Sequence, residues 1–152
     1  ASQLTCKPLN SSTVLLVYKN ENELNSPIYA RLITDINTVN KTFVIQSPIL
    51  INFTTISHPN SKTYLTQITS TDILLFDGAG VNLGVIKYNS ATNSITFYEK
   101  GSCANNFPIS NISTTKRENN CSILALSETK LFMGYTDSEY SDYMAIRFLN
   151  LY

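Results

Sequence analysis

Few side chains in this sequence have the types and spacing that catalysis requires. The only histidine, His58, stands in a turn before Pro59, and no neighbouring motif makes it a general base. The sequence has no Gly-x-Ser-x-Gly elbow, and no flanking signature marks any of its three cysteines as a nucleophile. The pattern therefore indicates a protein that is not an enzyme.

Metal and cofactor chemistry has equally little support. One histidine and three scattered cysteines provide no CxxC or HxxxH spacing, so the sequence predicts no zinc site. Two acidic groups carry oxygen ligands but do not follow the spacing of a calcium loop. They are Asp72 with Asp77, and Asp137 with Glu139 and Asp142. We expect neither a metal nor a cofactor.

The segment best suited to binding covers residues 135–143. It places three tyrosines and three acids among small polar residues, in a predicted loop between two strands. Tyrosine offers a large contact area at low entropic cost, and acceptors beside aromatic rings suit sugars. Alternatively, the first and last tyrosines end their strands facing the core. The predicted site for a protein or glycan partner consists of Tyr135, Asp137, Glu139, Tyr140, Asp142 and Tyr143.

The cysteines suggest an oxidising compartment. Cys103 and Cys121 bracket a polar, turn-rich segment, and a disulfide closing such a loop contributes about 3 kcal/mol in the chain-entropy model. We predict this pairing because the shorter loop is easier to close. Cys6 is then left free or paired between chains. Pairing of Cys6 with Cys103 or with Cys121 remains an open alternative.

Five Asn-X-Ser/Thr sequons mark candidate glycosylation sites. With 17 Asn and 34 Ser plus Thr in the chain, chance alone gives about four sequons, so their number carries little information. The sequence begins Ala1-Ser2-Gln3, which resembles a mature terminus after removal of a leader. These features favour an extracellular or cell-surface protein. The candidate acceptors are Asn10, Asn40, Asn52, Asn111 and Asn120.

Charge and hydropathy limit the classes of partner that the protein is expected to bind. The net charge is zero, and charged residues make up 14% of the chain, against about 25% in typical soluble domains. The only basic pair, Lys116-Arg117, is followed by Glu118, so no basic face for nucleic-acid phosphates is visible. No apolar run approaches the roughly 20 residues of a membrane span. We predict protein or glycan partners, including copies of the chain itself, with no nucleic acid and no membrane span.

The elements that must position these residues read as strands. Short β-branched and aromatic runs alternate with turn signals, and residues 72–76, 81–88 and 94–98 have the spacing of a β-meander. Residues 31–38 come nearest to a helical pattern, but their Ile, Thr and Val content favours a strand. We predict an all-β fold: an antiparallel, jelly-roll-like β-sandwich of about ten short strands. A small closed β-barrel is the alternative.

Residues 1–12 are interpreted as an N-terminal arm and residues 13–152 as a single β domain. Such an arm is free to stay disordered, to pack on its own domain, or to add as a strand to a neighbouring copy. The predicted function is a secreted or surface-exposed, non-enzymatic domain of recognition, adhesion or self-assembly. The alternative is a small, lipocalin-like barrel that carries an apolar ligand, favoured by the abundant Phe, Leu and Ile.

Overall fold

A computed structural model of the protein describes residues 4–20, 22–23, 26–53, 63–77, 82–102, 121–137 and 143–150. Every regular element in these ranges is a β-strand, which confirms the all-β prediction. In chain order the strands are β1 (Leu4–Pro8), β2 (Val14–Lys19), β3 (Ile28–Asn37), β4 (Thr42–Ile45), β5 (Ile49–Ile51), β6 (Thr63–Gln67), β7 (Asp72–Asp77), β8 (Asn82–Asn89), β9 (Ser94–Ser102), β10 (Cys121–Ala125), β11 (Lys130–Asp137) and β12 (Tyr143–Asn150).

The strands form three antiparallel sheets. Sheet A has the order β1-β2-β3-β4, with β5 also paired to β3; sheet B has the order β6-β7-β8-β9; sheet C has the order β10-β11-β12. The sandwich prediction is confirmed, whereas the described strands form no closed barrel. The connections differ from those of a jelly roll, because short turns keep consecutive strands side by side in the same sheet.

The first strand comes from the segment interpreted as an arm. Residues Leu4–Pro8 pair with β2 of the same chain, from Leu4 opposite Tyr18 to Pro8 opposite Val14. Strand β1 is therefore one edge of sheet A, and β4 lies at the opposite edge.

Sheets A and B enclose the main core. The alternation of side chains along each strand turns every second residue inward. The inward residues are fully or nearly fully buried, as expected for a close-packed interior. They are Leu15, Val17, Ile28, Ala30, Leu32 and Ile51 from sheet A, and Ile73, Leu75, Ile86 and Tyr88 from sheet B.

Sheet C covers part of the other face of sheet B. The amide of Ala125 in β10 donates a hydrogen bond to Oγ1 of Thr66 in β6, over 3.2 Å. Apolar residues on that face of sheet B are buried together with Ile123 and Leu131 of sheet C. The order of layers is therefore A, B, C, and the face of sheet A that points away from sheet B is left uncovered by the described strands. The buried residues on the outer face of sheet B are Leu74, Phe76, Leu83 and Val85.

Candidate functional site

The predicted tyrosine-rich site falls on the hairpin between β11 and β12. Tyr135 pairs with Ala145, and Asp137 pairs with Tyr143, so the backbone brings Asp137 directly opposite Tyr143. The side chains of these residues lie outside the described part of the structure, as do Glu139, Tyr140 and Asp142 entirely. A binding role for this hairpin therefore stays a prediction.

The predicted disulfide also stays a prediction. Cys121 is the first residue of β10, but Cys103 lies outside the described residues. Cys6 lies on β1 as a free cysteine with an exposed side chain. Its position on a sheet edge leaves the thiol accessible for a contact between chains.

Three of the five sequons fall in the described ranges. Asn10, Asn40 and Asn52 are all exposed, as a glycan acceptor must be. Asn111 and Asn120 lie outside those ranges. Glycosylation of any of them stays a prediction.

The acidic pair in β7 does not form a common site. Asp72 and Asp77 stand at opposite ends of the strand, and their odd spacing points their side chains to opposite faces. Within the described residues, no group of three or more His, Cys, Asp or Glu side chains is placed to hold a metal ion. His58 lies outside those residues.

The most unusual surface is the outer face of sheet A, which is apolar. Antiparallel strands with one face in water normally place polar residues outward. Here the outward residues form three rows across the strands, set by the pairing register. The first row is Leu4, Tyr18, Tyr29 and Leu50; the second is Cys6, Leu16 and Arg31; the third is Pro8, Val14, Ile33 and Ile45. We call these eleven residues the apolar face.

Side chains at the borders of the apolar face are open to solvent. Leu4 is 66% exposed and Leu50 is 51% exposed, at opposite ends of the first row. Ile45 is 53% exposed at the end of the third row, and Phe43, two residues earlier on the same strand, is 57% exposed. The central residues of the face, among them Leu16 and Ile33, are half-buried. Patches of this size are often functional, which makes the apolar face a candidate interaction surface.

Arg31 is the one charged residue of the apolar face, and aromatic groups hold it in place. Its Nη2 donates a hydrogen bond of 2.9 Å to the hydroxyl of Tyr18, and its Cζ lies 5.3 Å from the centroid of the Tyr18 ring. The Tyr18 and Tyr29 rings stack with centroids 5.6 Å apart and planes inclined by 25°. These contacts reduce the side-chain entropy that would be lost when a partner binds.

The Tyr29 hydroxyl is fixed from the rim of the face. It donates a hydrogen bond of 2.9 Å to Oε2 of Glu23, and Nδ2 of Asn20 donates to the other carboxylate oxygen. The hydrogen bond to Glu23 raises the pKa of Tyr29 above its ordinary value of 10.0, and desolvation and the Glu23 charge act in the same direction. Tyr29 is therefore neutral, and its ring is oriented, at physiological pH.

One edge of the apolar face is the uncharged strand β4, whose pairing with β3 has a register shift between Thr34 and Asn37. All four residues of β4, Thr42–Ile45, are exposed, and none carries a charge. Natural edge strands usually carry charges, bulges or proline, which block pairing with another chain. No described strand pairs with β4 on the side away from β3. Within the described strands, the lack of charge on β4 leaves the part of this edge next to Ile33 and Thr34 the least protected against pairing with a further strand.

Sequence reasoning missed the apolar face, although β2 and β3 carry its signal. The run from Val14 to Tyr18 is apolar at both odd and even positions, and β3 is apolar at most of them. Such runs are typical of strands covered on both faces. The runs were read as strands, but their outward halves were not recognised as a surface.

No protein-family model, curated protein or solved structure matches this chain. The described part of the chain contains no helix with the length and apolar character needed to cross a membrane.

Proposed function

We propose that this chain is an extracellular, non-enzymatic β domain that works in recognition and self-assembly through the apolar face of sheet A. The observation that carries the proposal is the composition of three rows of outward side chains, two of four residues and one of three. Ten of the eleven are uncharged, and the eleventh, Arg31, is already engaged by Tyr18. Water-facing sheets are not normally built this way.

A second copy of the chain is the occupant that the charges favour. The chain carries 11 basic and 11 acidic residues, so two copies approach without long-range repulsion. In the commonest soluble homo-oligomers, two copies also contact each other through the same surface patch.

The size of the apolar face sets the expected strength. The apolar face is four strands wide and extends along them from the first row to the third. Its dimensions are about 14 Å by 14 Å between Cα atoms, which gives roughly 400 Å² once the side chains are included. A standard stable interface buries about 800 Å² on each partner. A contact through this face alone is therefore weak and reversible. A stronger contact would also have to bury the β4 edge, including Phe43.

Amide chemical shifts measured during dilution test this proposal. Between about 1 mM and 10 μM protein, we expect shifts to change for residues of β1 to β5 and to stay constant for β8 and β9. Changes confined to the β11–β12 hairpin would move the contact to the predicted tyrosine-rich site. Spectra that do not change with concentration would argue against self-assembly.

A further inference from the structure

A groove lies on the outer side of sheet B, remote from the apolar face. Its volume is about 480 Å³, within the range of roughly 300–1,000 Å³ common for small-molecule sites. Its floor is the sheet surface at Val85 and Tyr98, which are directly paired between β8 and β9. The turn before β7 and the turn between β10 and β11 form its borders.

The borders of the groove are braced by hydrogen bonds. In the first turn, Oγ1 of Thr69 accepts hydrogen bonds from the amides of Thr71 and Asp72, at 3.2 and 3.0 Å. In the second turn, Oγ of Ser127 accepts from the amides of Thr129 and Lys130, at 3.3 and 3.1 Å. Because these turns are fixed internally, a ligand finds a preformed site and pays little ordering entropy.

The second turn is also fixed relative to the floor. Thr66, which bonds the Ala125 amide at 3.2 Å, lies in the same row of sheet B as Val85 and Tyr98. This contact holds the end of β10 against the sheet at the point where the turn begins. The β10–β11 turn is therefore tied to sheet B next to the floor of the groove.

The polar groups around the floor balance in charge. Lys87 and Lys100 face the groove with Asp72 and Glu128, and Nζ of Lys87 lies 3.9 Å from Oδ1 of Asp72. A site for phosphate or another anion would show an excess of cations, and a cation site would show an excess of acids. This lining instead offers ammonium donors and carboxylate acceptors in equal number.

A single aromatic ring is open among these groups. Tyr98 lies in the middle of β9 and is 51% exposed. The hydroxyls of Thr69 and Thr129, both in the lining, can each donate and accept. An exposed ring surrounded by mixed donors and acceptors matches a ligand with an apolar ring face and many hydroxyl groups.

We propose that this groove binds a neutral oligosaccharide, with a sugar ring packed on Tyr98 and its hydroxyls bonded to the lysines, carboxylates and threonines around it. An extended peptide would pair with the main chain of β9, the edge strand of sheet B, whereas this lining is made of side chains on the sheet face. Sheets that bind extended peptides use the main-chain groups of a strand edge. The site is independent of the apolar face, so either assignment can fail without the other.

Titration with defined hexasaccharides tests the assignment. The neutral probes are the hexasaccharides of glucose, N-acetylglucosamine, mannose and galactose, and the charged probes are a hyaluronan hexasaccharide and inorganic phosphate. We expect binding of at least one neutral probe, with amide shift changes at Val85, Lys87 and Tyr98. Because the ligand carries no charge, its affinity should be nearly constant between about 50 and 500 mM salt.

Two variants locate the binding. Tyr98→Ala should weaken it by about tenfold or more, because the ring supplies most of the apolar contact. Thr96→Ala is the matched control: Thr96 is exposed, lies two residues away on the same strand and face, and is outside the groove lining. Its affinity should stay within about twofold of the parent.

Three outcomes would overturn the assignment. They are the failure of every neutral hexasaccharide to bind, stronger binding of the hyaluronan fragment or phosphate, and an affinity that Tyr98→Ala leaves unchanged. Shift changes at the β11–β12 hairpin in place of the groove would assign glycan binding to the predicted tyrosine-rich site.

Discussion

Nζ of Lys19 lies 2.9 Å from Oδ1 of Asp77, and both side chains are fully buried. Lys19 ends β2 in sheet A, and Asp77 ends β7 in sheet B, so the ion pair joins the two sheets at one end of the core. Removing one partner of a buried pair leaves a desolvated charge uncompensated, whereas replacing both with apolar groups is often neutral.

Substitution of either partner should therefore destabilise the protein strongly. We expect Lys19→Met or Asp77→Val to lower the free energy of unfolding by about 3–5 kcal/mol, measured by urea denaturation. The double variant should recover most of that loss, because it removes both charges of the pair together. Additive losses in the double variant, or single losses below about 1 kcal/mol, would show that the pair does not control the packing of the sheets.

Gly84 is required for packing beside Phe97. A Cβ at position 84 would lie 2.2 Å from Cε2 and 2.5 Å from Cζ of the Phe97 ring, which itself packs edge-on against Phe53 at 5.1 Å. We expect Gly84→Ala to cost about 1–3 kcal/mol in thermal or urea unfolding. Gly134→Ala is the control, since its Cβ would meet nothing within 4 Å, and should change stability by less than about 0.5 kcal/mol.

A cost at Gly84 that arises from the Phe97 ring should fall when the ring is made smaller. Gly84→Ala should therefore destabilise a Phe97→Leu background less than it destabilises the parent. Equal costs in both backgrounds would assign the effect to the backbone.

Tyr29, on the apolar face, should make the stability of the protein depend on pH in the alkaline range. Its pKa is raised above 10.0 by the hydrogen bond to Glu23, so the folded state keeps the proton at pH values where the unfolded chain loses it. The resulting stability is fully present below pH 10.0 and is lost as the pH rises through the folded-state pKa. Glu23→Gln should lower the pKa of Tyr29. NMR of labelled tyrosine follows this titration, and Tyr29→Phe assigns the signal. An unchanged titration would contradict the role of Glu23.

Intact mass with and without reductant tests the predicted cysteine pairing. We expect the oxidised chain to lack two hydrogens, with peptide mapping joining Cys103 to Cys121 and leaving Cys6 alkylatable. Reduction should cost about 3 kcal/mol of stability. Mapping that places Cys6 in an intrachain disulfide would contradict the pairing, and a fully reduced chain from its native source would argue against an extracellular location.

The sequence was sufficient to predict most of the strands and the fold class. Local alternation and turn residues identify segments such as β8 and β9, and the meander of sheet B follows from their short connecting turn. Strand β1 was missed because the alternation of Leu-Thr-Cys-Lys-Pro covers only five residues and ends in proline, and the strand is stabilised by pairing with β2. Local pattern cannot show a pairing that another segment imposes.

The candidate surfaces required the register of distant strands. Leu4, Tyr18, Tyr29 and Leu50 form one row only because β1, β2, β3 and β5 pair in that order. The groove likewise needs the β10–β11 turn to lie over sheet B, a contact between residues far apart in the chain. Buried charge at Lys19 was equally invisible, since lysine at the end of a strand is usually solvated.

The central claim is tested most directly by light scattering across a concentration series. We expect the apparent mass of the parent chain to rise above the 17.0 kDa monomer as concentration increases. Leu50→Glu and Ile45→Glu, at the two ends of the β4/β5 edge of the apolar face, should each weaken association by about tenfold or more, because a charge would be desolvated in the contact. Thr96→Glu, on the exposed surface of sheet B, should associate like the parent. A parent chain that stays monomeric throughout, or glutamate variants that assemble as readily as the parent, would contradict the account.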